Sequence, residues 1–201
     1  MEDTYKTIEA IAEGLYKEKG SRFISYVYPV SDEDEIKEII AGVKTRYYDA
    51  RHHCYAYCLG ADKLRFRAND DGEPSSTAGK PILGQIHAHE LTNVLIVVIR
   101  YFGGTKLGVS GLIQAYREAA SDAIAHAVII EKTVNEIFHI RFSYLVMNDV
   151  MKVLKEEEAE VLERTFEMDC DMLLSIRKKD AARLQERLLK IESLHIEIAE
   201  A

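Results

Sequence analysis

Apolar residues recur along the chain with two periods, every second position in some stretches and every third or fourth in others. Arg22 to Tyr28 is β-branched and aromatic and is ended by Pro29, which predicts a strand. Thr7 to Tyr16, with Gly14 inside it, predicts a weaker strand or hairpin. Ile36, Ile39, Ile40, Val43 and Tyr47 then recur at helical spacing. Ser31 with Asp34 three residues on forms a capping-box-like start to that helix. Its first turn is acidic (Asp32, Glu33, Asp34, Glu35) and its end carries Lys44 and Arg46, as the helix dipole favours.

Cys54–Leu59 and Leu64–Asn69 predict two strands joined by Gly60-Ala61-Asp62-Lys63, a link short enough for a hairpin. A polar loop follows from Asp70 to Gly79, and Pro81 suits the first turn of a helix carrying Ile82, Leu83 and Ile86. Val94 to Arg100 shows no alternation, which predicts a strand buried on both faces. Beyond the glycine-rich stretch 103–108, Ser110 is expected to cap a helix running to about Ala127. From about residue 133 the order reads strand, helix, strand, strand, helix, strand: Glu136–Phe142, Val146–Glu157, Glu160–Phe166, Asp169–Arg177, Ala181–Ile191 and Leu194–Ala199. That βαββαβ order is ferredoxin-like. The fold class is therefore α+β, with one domain over residues 1–132 and a second over residues 133–201.

With 201 residues, 47% of them apolar and 30% charged, the chain has enough apolar surface for a packed core. The net charge of −8 argues against a protein that coats DNA, and leaves room for a local basic patch. The longest aliphatic run, Val94 to Ile99, is far short of the ~20 residues of a membrane span. The first residues, Met1-Glu2-Asp3-Thr4, lack the basic and apolar regions of a signal peptide. Three cysteines, Cys54, Cys58 and Cys170, fit a reducing compartment, so a cytoplasmic protein is expected.

Four segments carry candidate chemistry, all in the first domain. In Arg51-His52-His53-Cys54-Tyr55-Ala56-Tyr57-Cys58, strand alternation places His53, Tyr55 and Tyr57 on one face and Cys54, Ala56 and Cys58 on the other. The partner strand puts Lys63, Arg65 and Arg67 on one face and Leu64 and Phe66 on the opposite one. If the apolar sets match, tyrosine rings stand beside cations, the pairing that single-stranded RNA needs for stacking and phosphate contact. The bland alternative is a solvated basic strand over packed tyrosines. Cys54 and Cys58 lie about 13 Å apart along a strand, too far to share one zinc ion.

The second segment holds Asp70, Asp71 and Glu73 around Gly72. It reads either as a polar turn or as a set of carboxylates for Mg²⁺ or acid–base work. The third, Tyr101 to Gly111, follows a buried strand and opens a helix, where free N–H groups and the dipole attract anions. Gly103, Gly104, Lys106, Gly108 and Ser110 are its candidate anion contacts, the alternative being a sharp turn that needs glycine for its backbone angles. The fourth, His87 and His89 near Glu90, reads as ordinary exposed histidines.

Together, Ala50-Arg51-His52-His53-Cys54-Tyr55-Ala56-Tyr57, Asp70-Asp71-Gly72-Glu73-Pro74-Ser75, Thr77 to Leu83 and Tyr101-Phe102-Gly103-Gly104-x-Lys106-Leu107-Gly108 resemble the YigZ/IMPACT family. The remainder looks like the small C-terminal domain of its bacterial branch, itself similar to the last domain of elongation factor G. Ser76 stands where the family pattern has glycine, adding a hydroxyl and narrowing the allowed backbone angles. The resemblance implies a first domain with the fold of the second domain of ribosomal protein S5 and a ferredoxin-like second domain. It also implies a link to translation, since eukaryotic relatives compete for the activator of an initiation-factor kinase.

The expected function is thus a non-enzymatic, cytoplasmic protein that binds RNA or the ribosome and modulates translation. Stacking is expected from Tyr55 and Tyr57, beside His53. Phosphate contact is expected from Arg51, Lys63, Arg65, Arg67 and Lys106. A translation-related protein is the further expected partner, with no cofactor and no membrane. A rival reading is a phosphoryl-transfer or phosphoester-hydrolysing enzyme. It would use Asp70, Asp71, Glu73 and His53 with Mg²⁺, and seat a phosphate on the glycine turn. A third is a protein–protein interaction module.

Overall fold

The computed structural model describes residues 3–199, which form two compact units: residues 5–132, and residues 133–199 together with Asp3 and Thr4. The first unit is built on five antiparallel strands: β2 (Ala12–Glu18), β3 (Ser21–Pro29), β4 (His52–Leu59), β5 (Arg65–Asn69) and β6 (Val94–Tyr101). Their order in the sheet is β2-β3-β6-β4-β5. Three helices accompany them: α1 (Glu33–Arg46), α2 (Gly79–Ala88) and α3 (Gly108–His126). Two further strands, β1 (Thr4–Ile8) and β7 (Ile129–Thr133), pair with each other in a separate two-stranded sheet.

Strand alternation divides the sheet into two apolar faces. Phe23, Cys54, Ala56, Cys58, Val94, Ile96 and Val98 face α2 and α3, packing on Ile82, Ile86, Tyr116 and an alanine stripe at 115, 119, 120 and 123. Tyr26, Tyr57, Leu59, Leu95, Val97 and Ile99 face the other way, onto Ile36 and Val43 of α1. Val94 to Ile99 are all fully buried, as an unalternating strand requires. At about 1.5–3 kcal/mol for each large aliphatic side chain, this strand alone contributes on the order of 10 kcal/mol of hydrophobic stabilisation.

Two expected caps are corrected. Asp32, not Ser31, caps α1: one carboxylate oxygen accepts from the N–H groups of Asp34 and Glu35, both at 2.9 Å. Ser31 instead donates its own N–H to Glu35. Likewise α3 begins at Gly108, so Ser110 lies within its first turn, and Leu107 at the cap position offers no side-chain acceptor. The segment Thr7 to Tyr16 is not one strand or hairpin. It is split between β1 and β2, which belong to different sheets.

The second unit contains β8 (Asn135–Phe142), α4 (Met147–Glu156), β9 (Glu160–Phe166), β10 (Cys170–Arg177), α5 (Lys178–Leu188) and β11 (His195–Ile198). The four strands order as β11-β8-β10-β9, all antiparallel, matching the βαββαβ expectation. One sheet face (Phe138, Ile140, Phe142, Met172, Leu174, Ile176) packs on Val150, Leu154, Leu184 and Leu188 of the two helices. Among the described residues, no helix is long and apolar enough to cross a membrane.

Candidate functional site

The strand register carries the aromatic–basic expectation only halfway. Tyr57 pairs with Arg67, and Leu59 with Arg65, so tyrosines and arginines do share one face. That face, however, is the one α1 covers. Tyr57 is 7% exposed and belongs to the core, Tyr55 is half-buried, and His53 is buried with Nε2 2.9 Å from the Tyr47 carbonyl oxygen. The expected open stacking surface is therefore corrected: Tyr57 and His53 are closed off, because a sheet roofed by helices on both faces has no wet central strands. Arg65 and Arg67 remain exposed because β5 is the edge strand. Lys63 is out of that row. It sits in the turn before β5 with a left-handed backbone (φ +59°). Leu64 and Phe66, expected to face inward, are 75% and 54% exposed.

The acidic loop is held together by its own side chains. One carboxylate oxygen of Asp70 accepts from the N–H groups of Ala78 and Gly79 at 3.0 and 2.8 Å, the other from Ser76 at 2.8 Å. Asp70 thus ties the loop to the N-terminus of α2. Asp71 accepts from the His53 N–H at 2.7 Å and from Lys44 at 3.2 Å. Burial alone would raise its pKa, but the His53 N–H and the Lys44 ammonium hold it below the ordinary range. Glu73 turns inward. Its Oε1 accepts from Arg100 Nη1 at 2.6 Å and from the Tyr116 hydroxyl at 2.7 Å, with side-chain exposures of only 4% for Glu73 and 8% for Arg100. Burial pushes the Tyr116 hydroxyl and the Cys54 thiol upward, so both stay protonated around that carboxylate. The three carboxylates of the loop therefore serve three separate sets of partners. Among the described residues no three His, Cys, Asp or Glu side chains gather as a metal-binding group.

In the glycine segment, Gly103 is fixed by close approach. A Cβ there would lie 1.9 Å from the Gly20 carbonyl carbon and 2.1 Å from the Ser21 nitrogen, and the Gly103 N–H donates to Ser21 Oγ. Its expected role as a backbone anion contact is corrected on that ground. Gly104, with φ +90°, turns the chain and lies outside the cleft described next.

What the fold does bring together is Arg51-His52, Glu73-Pro74, Arg100-Tyr101-Phe102 and Lys106 to Val109. With Asp49, Ala50 and Leu112 they line one open cleft of about 710 Å³ within the first unit, a volume typical of small-ligand sites. The acidic loop and the glycine turn thus share one cavity through Glu73 and residues 106–108. Arg51 and Lys106 stand exposed at it, and neither forms an ion pair among the described residues. Tyr101 donates to Asp49 at 2.7 Å, a bond that raises its hydroxyl pKa to about 12. Phe102 and Val109, 57% and 60% exposed, give the cleft an apolar rim, and Leu112 lies buried in its wall. Arg100 and Phe102 are members to which the sequence alone gives no role. A lone cation closing a strand buried on both faces needs a buried partner, and that was the available signal.

The cleft-lining residues 49–112 fall inside the segment 19–124 that matches the family model of the Impact N-terminal domain. The chain is 32% identical over 200 residues to IMPACT family member YvyE of Bacillus subtilis, covering 100% of this chain and 92% of that one. It is 30% identical over 151 residues to IMPACT family member YigZ of Escherichia coli, covering 74% of each. A solved structure described as the crystal structure of a hypothetical protein superposes with a TM-score of 0.76 at 25% identity, covering 100% of this chain and 99% of that one.

Proposed function

The chain belongs to the IMPACT family, and on that premise we propose that it regulates translation by binding RNA in the cleft of its first unit, without catalysing a reaction. The observation that carries this reading is the convergence on one cleft of two exposed cations, Arg51 and Lys106, with the exposed ring of Phe102. Single-stranded RNA is held by this combination of phosphate contact and ring stacking. Phe102 takes the stacking part first assigned to the tyrosines of β4, whereas Arg65 and Arg67, paired with Leu59 and Tyr57 on the sheet face opposite to Arg100, lie outside this cleft. The non-enzymatic part is supported by the bonding of Asp70, Asp71, Glu73 and His53, each of which is engaged in holding the loop, the sheet or a buried ion pair. The translation part rests on the likeness to a family with translation-regulating members, and a ribosome or a translation-related protein is the partner this reading favours.

Fluorescence anisotropy of the full chain with a labelled single-stranded RNA, titrated across a salt series, tests it. Saturable binding that weakens with salt is expected. Arg51→Ala with Lys106→Ala should flatten the log–log salt slope by about 1.4, at ~0.7 for each cation withdrawn from a phosphate. No saturable binding at low salt, or a slope unchanged by the double substitution, refutes the proposal.

A further inference from the structure

The three helices of the first unit begin differently. α1 carries the Asp32 cap and three acidic residues in its first turn. α2 has its opening N–H groups taken by Asp70. α3 has neither a side-chain cap nor an acid in its first turn, so its opening N–H groups and positive dipole end are left for another acceptor. Gly108 and Val109 of that turn line the cleft beside Lys106.

Arg100 supplies an independent observation at the same place. Its side chain is 8% exposed and forms part of the cleft wall. Nη1 is bonded to Glu73, but Nε has no partner, the one buried side-chain nitrogen or oxygen among the described residues left in that state. Folded proteins seldom leave such a donor unmet unless something outside the chain meets it. Two carboxylates also line the cleft: Glu73, whose Oε1 accepts from Arg100 Nη1 and Tyr116, and Asp49, whose Oδ1 accepts from Tyr101.

We infer that the cleft seats a terminal phosphate, the monoester at the end of an RNA strand or on a mononucleotide. This rests on the reading of the cleft as the RNA site. Three sources of donors (the α3 turn, Lys106 and Arg100) match the three free oxygens of a phosphate monoester, whereas the diester inside a strand offers two. Phe102 and Val109 then flank the nucleotide that carries the phosphate.

The test uses the full chain and one short oligoribonucleotide made with a 5′-phosphate, with a 3′-phosphate, or with hydroxyls at both ends. AMP and inorganic phosphate are tested alongside. One phosphorylated form is expected to bind at least about tenfold tighter than the hydroxyl form, the worth of one or more charge-assisted hydrogen bonds. Lys106→Ala, on the exposed turn, should abolish that advantage. Arg100→Lys, which keeps the charge and loses Nε, should reduce it. Equal affinity for all three oligonucleotides overturns the inference and leaves RNA binding standing. Binding of AMP that disappears in Lys106→Ala, with no affinity for any RNA, supports the phosphate seat and sinks the RNA reading. Binding of none of the probes overturns both.

Discussion

Replacing Glu73 by glutamine leaves the shape of the cleft floor intact and removes one charge from a pair whose side chains are 4% and 8% exposed. The amide oxygen can still accept from Arg100 and from Tyr116, so the substitution isolates electrostatics from packing. Removing one partner of a buried pair costs about 3–5 kcal/mol, because the remaining charge stays desolvated and uncompensated. Retention of both hydrogen bonds places Glu73→Gln at the lower end, about 3 kcal/mol. For a unit of 128 residues (5–132) each kcal/mol moves the melting temperature by about 4 °C, so a drop of about 12 °C is expected for the first unit in scanning calorimetry. Adding Arg100→Met should restore most of the stability, since a buried pair replaced by apolar groups of similar volume is close to neutral. The new side chain retains the position over the Phe23 ring, where the guanidinium carbon sits 5.5 Å from the centroid. A single variant that melts within about 3 °C of the parent, or a double variant whose destabilisation equals the sum of the two singles, refutes the reasoning.

Ser76 adopts φ +66°, a left-handed conformation costing about 1–2 kcal/mol for a residue with a Cβ. Ser76→Gly relieves that cost against about 0.5–1 kcal/mol of added chain entropy, so urea denaturation should register a gain of roughly 0.5–1 kcal/mol. In the second unit, hydrogen bonds from Arg187 at 2.7 Å and Arg183 at 2.6 Å hold the Glu157 carboxyl below the usual range, against the pull of burial. Its stabilising contribution is full above the ordinary glutamate pKa of about 4.3 and is lost as pH falls through the lower folded value. An acid titration followed by circular dichroism should show that loss below about pH 4, and Glu157→Gln should remove it and lower stability at pH 7.

Much of the architecture was legible because the deciding interactions are local. The 3.6-residue stripe of α1, the alanine stripe of α3 and the alternation of β4 each bury the face that their spacing selects. The βαββαβ order of the second unit likewise follows from segment type alone. The pairing of β1 with β7 was not legible, since its partners stand some 120 residues apart and neither has a strong pattern. The misreading of Tyr57 has a physical lesson. β6 was expected to be buried on both faces, and β4 is its neighbour in the sheet, so the tyrosine face of β4 had to be roofed as well. The glycines of the turn were read for what they offer a ligand. Gly103 is there because the Gly20–Ser21 backbone leaves no room for a Cβ, a constraint that comes from β3, far away in sequence. Arg100 and Glu73 were both visible as letters, but only their meeting in the interior gives them meaning.

The sheet order β2-β3-β6-β4-β5 puts the strand translated last into the middle. A nascent chain emerging from its N-terminus can form the β2–β3 and β4–β5 hairpins early, each with a bare inner edge that waits for the same missing strand. Only when residues 94–101 arrive are both edges satisfied, by antiparallel pairing to β3 on one side and to β4 on the other. Long-range closure of this kind is slow, and half-finished edges attract other chains. The period of greatest exposure to aggregation during biosynthesis therefore falls between completion of β5 and delivery of β6, and a nascent chain stalled in that interval needs a chaperone more than a finished one does.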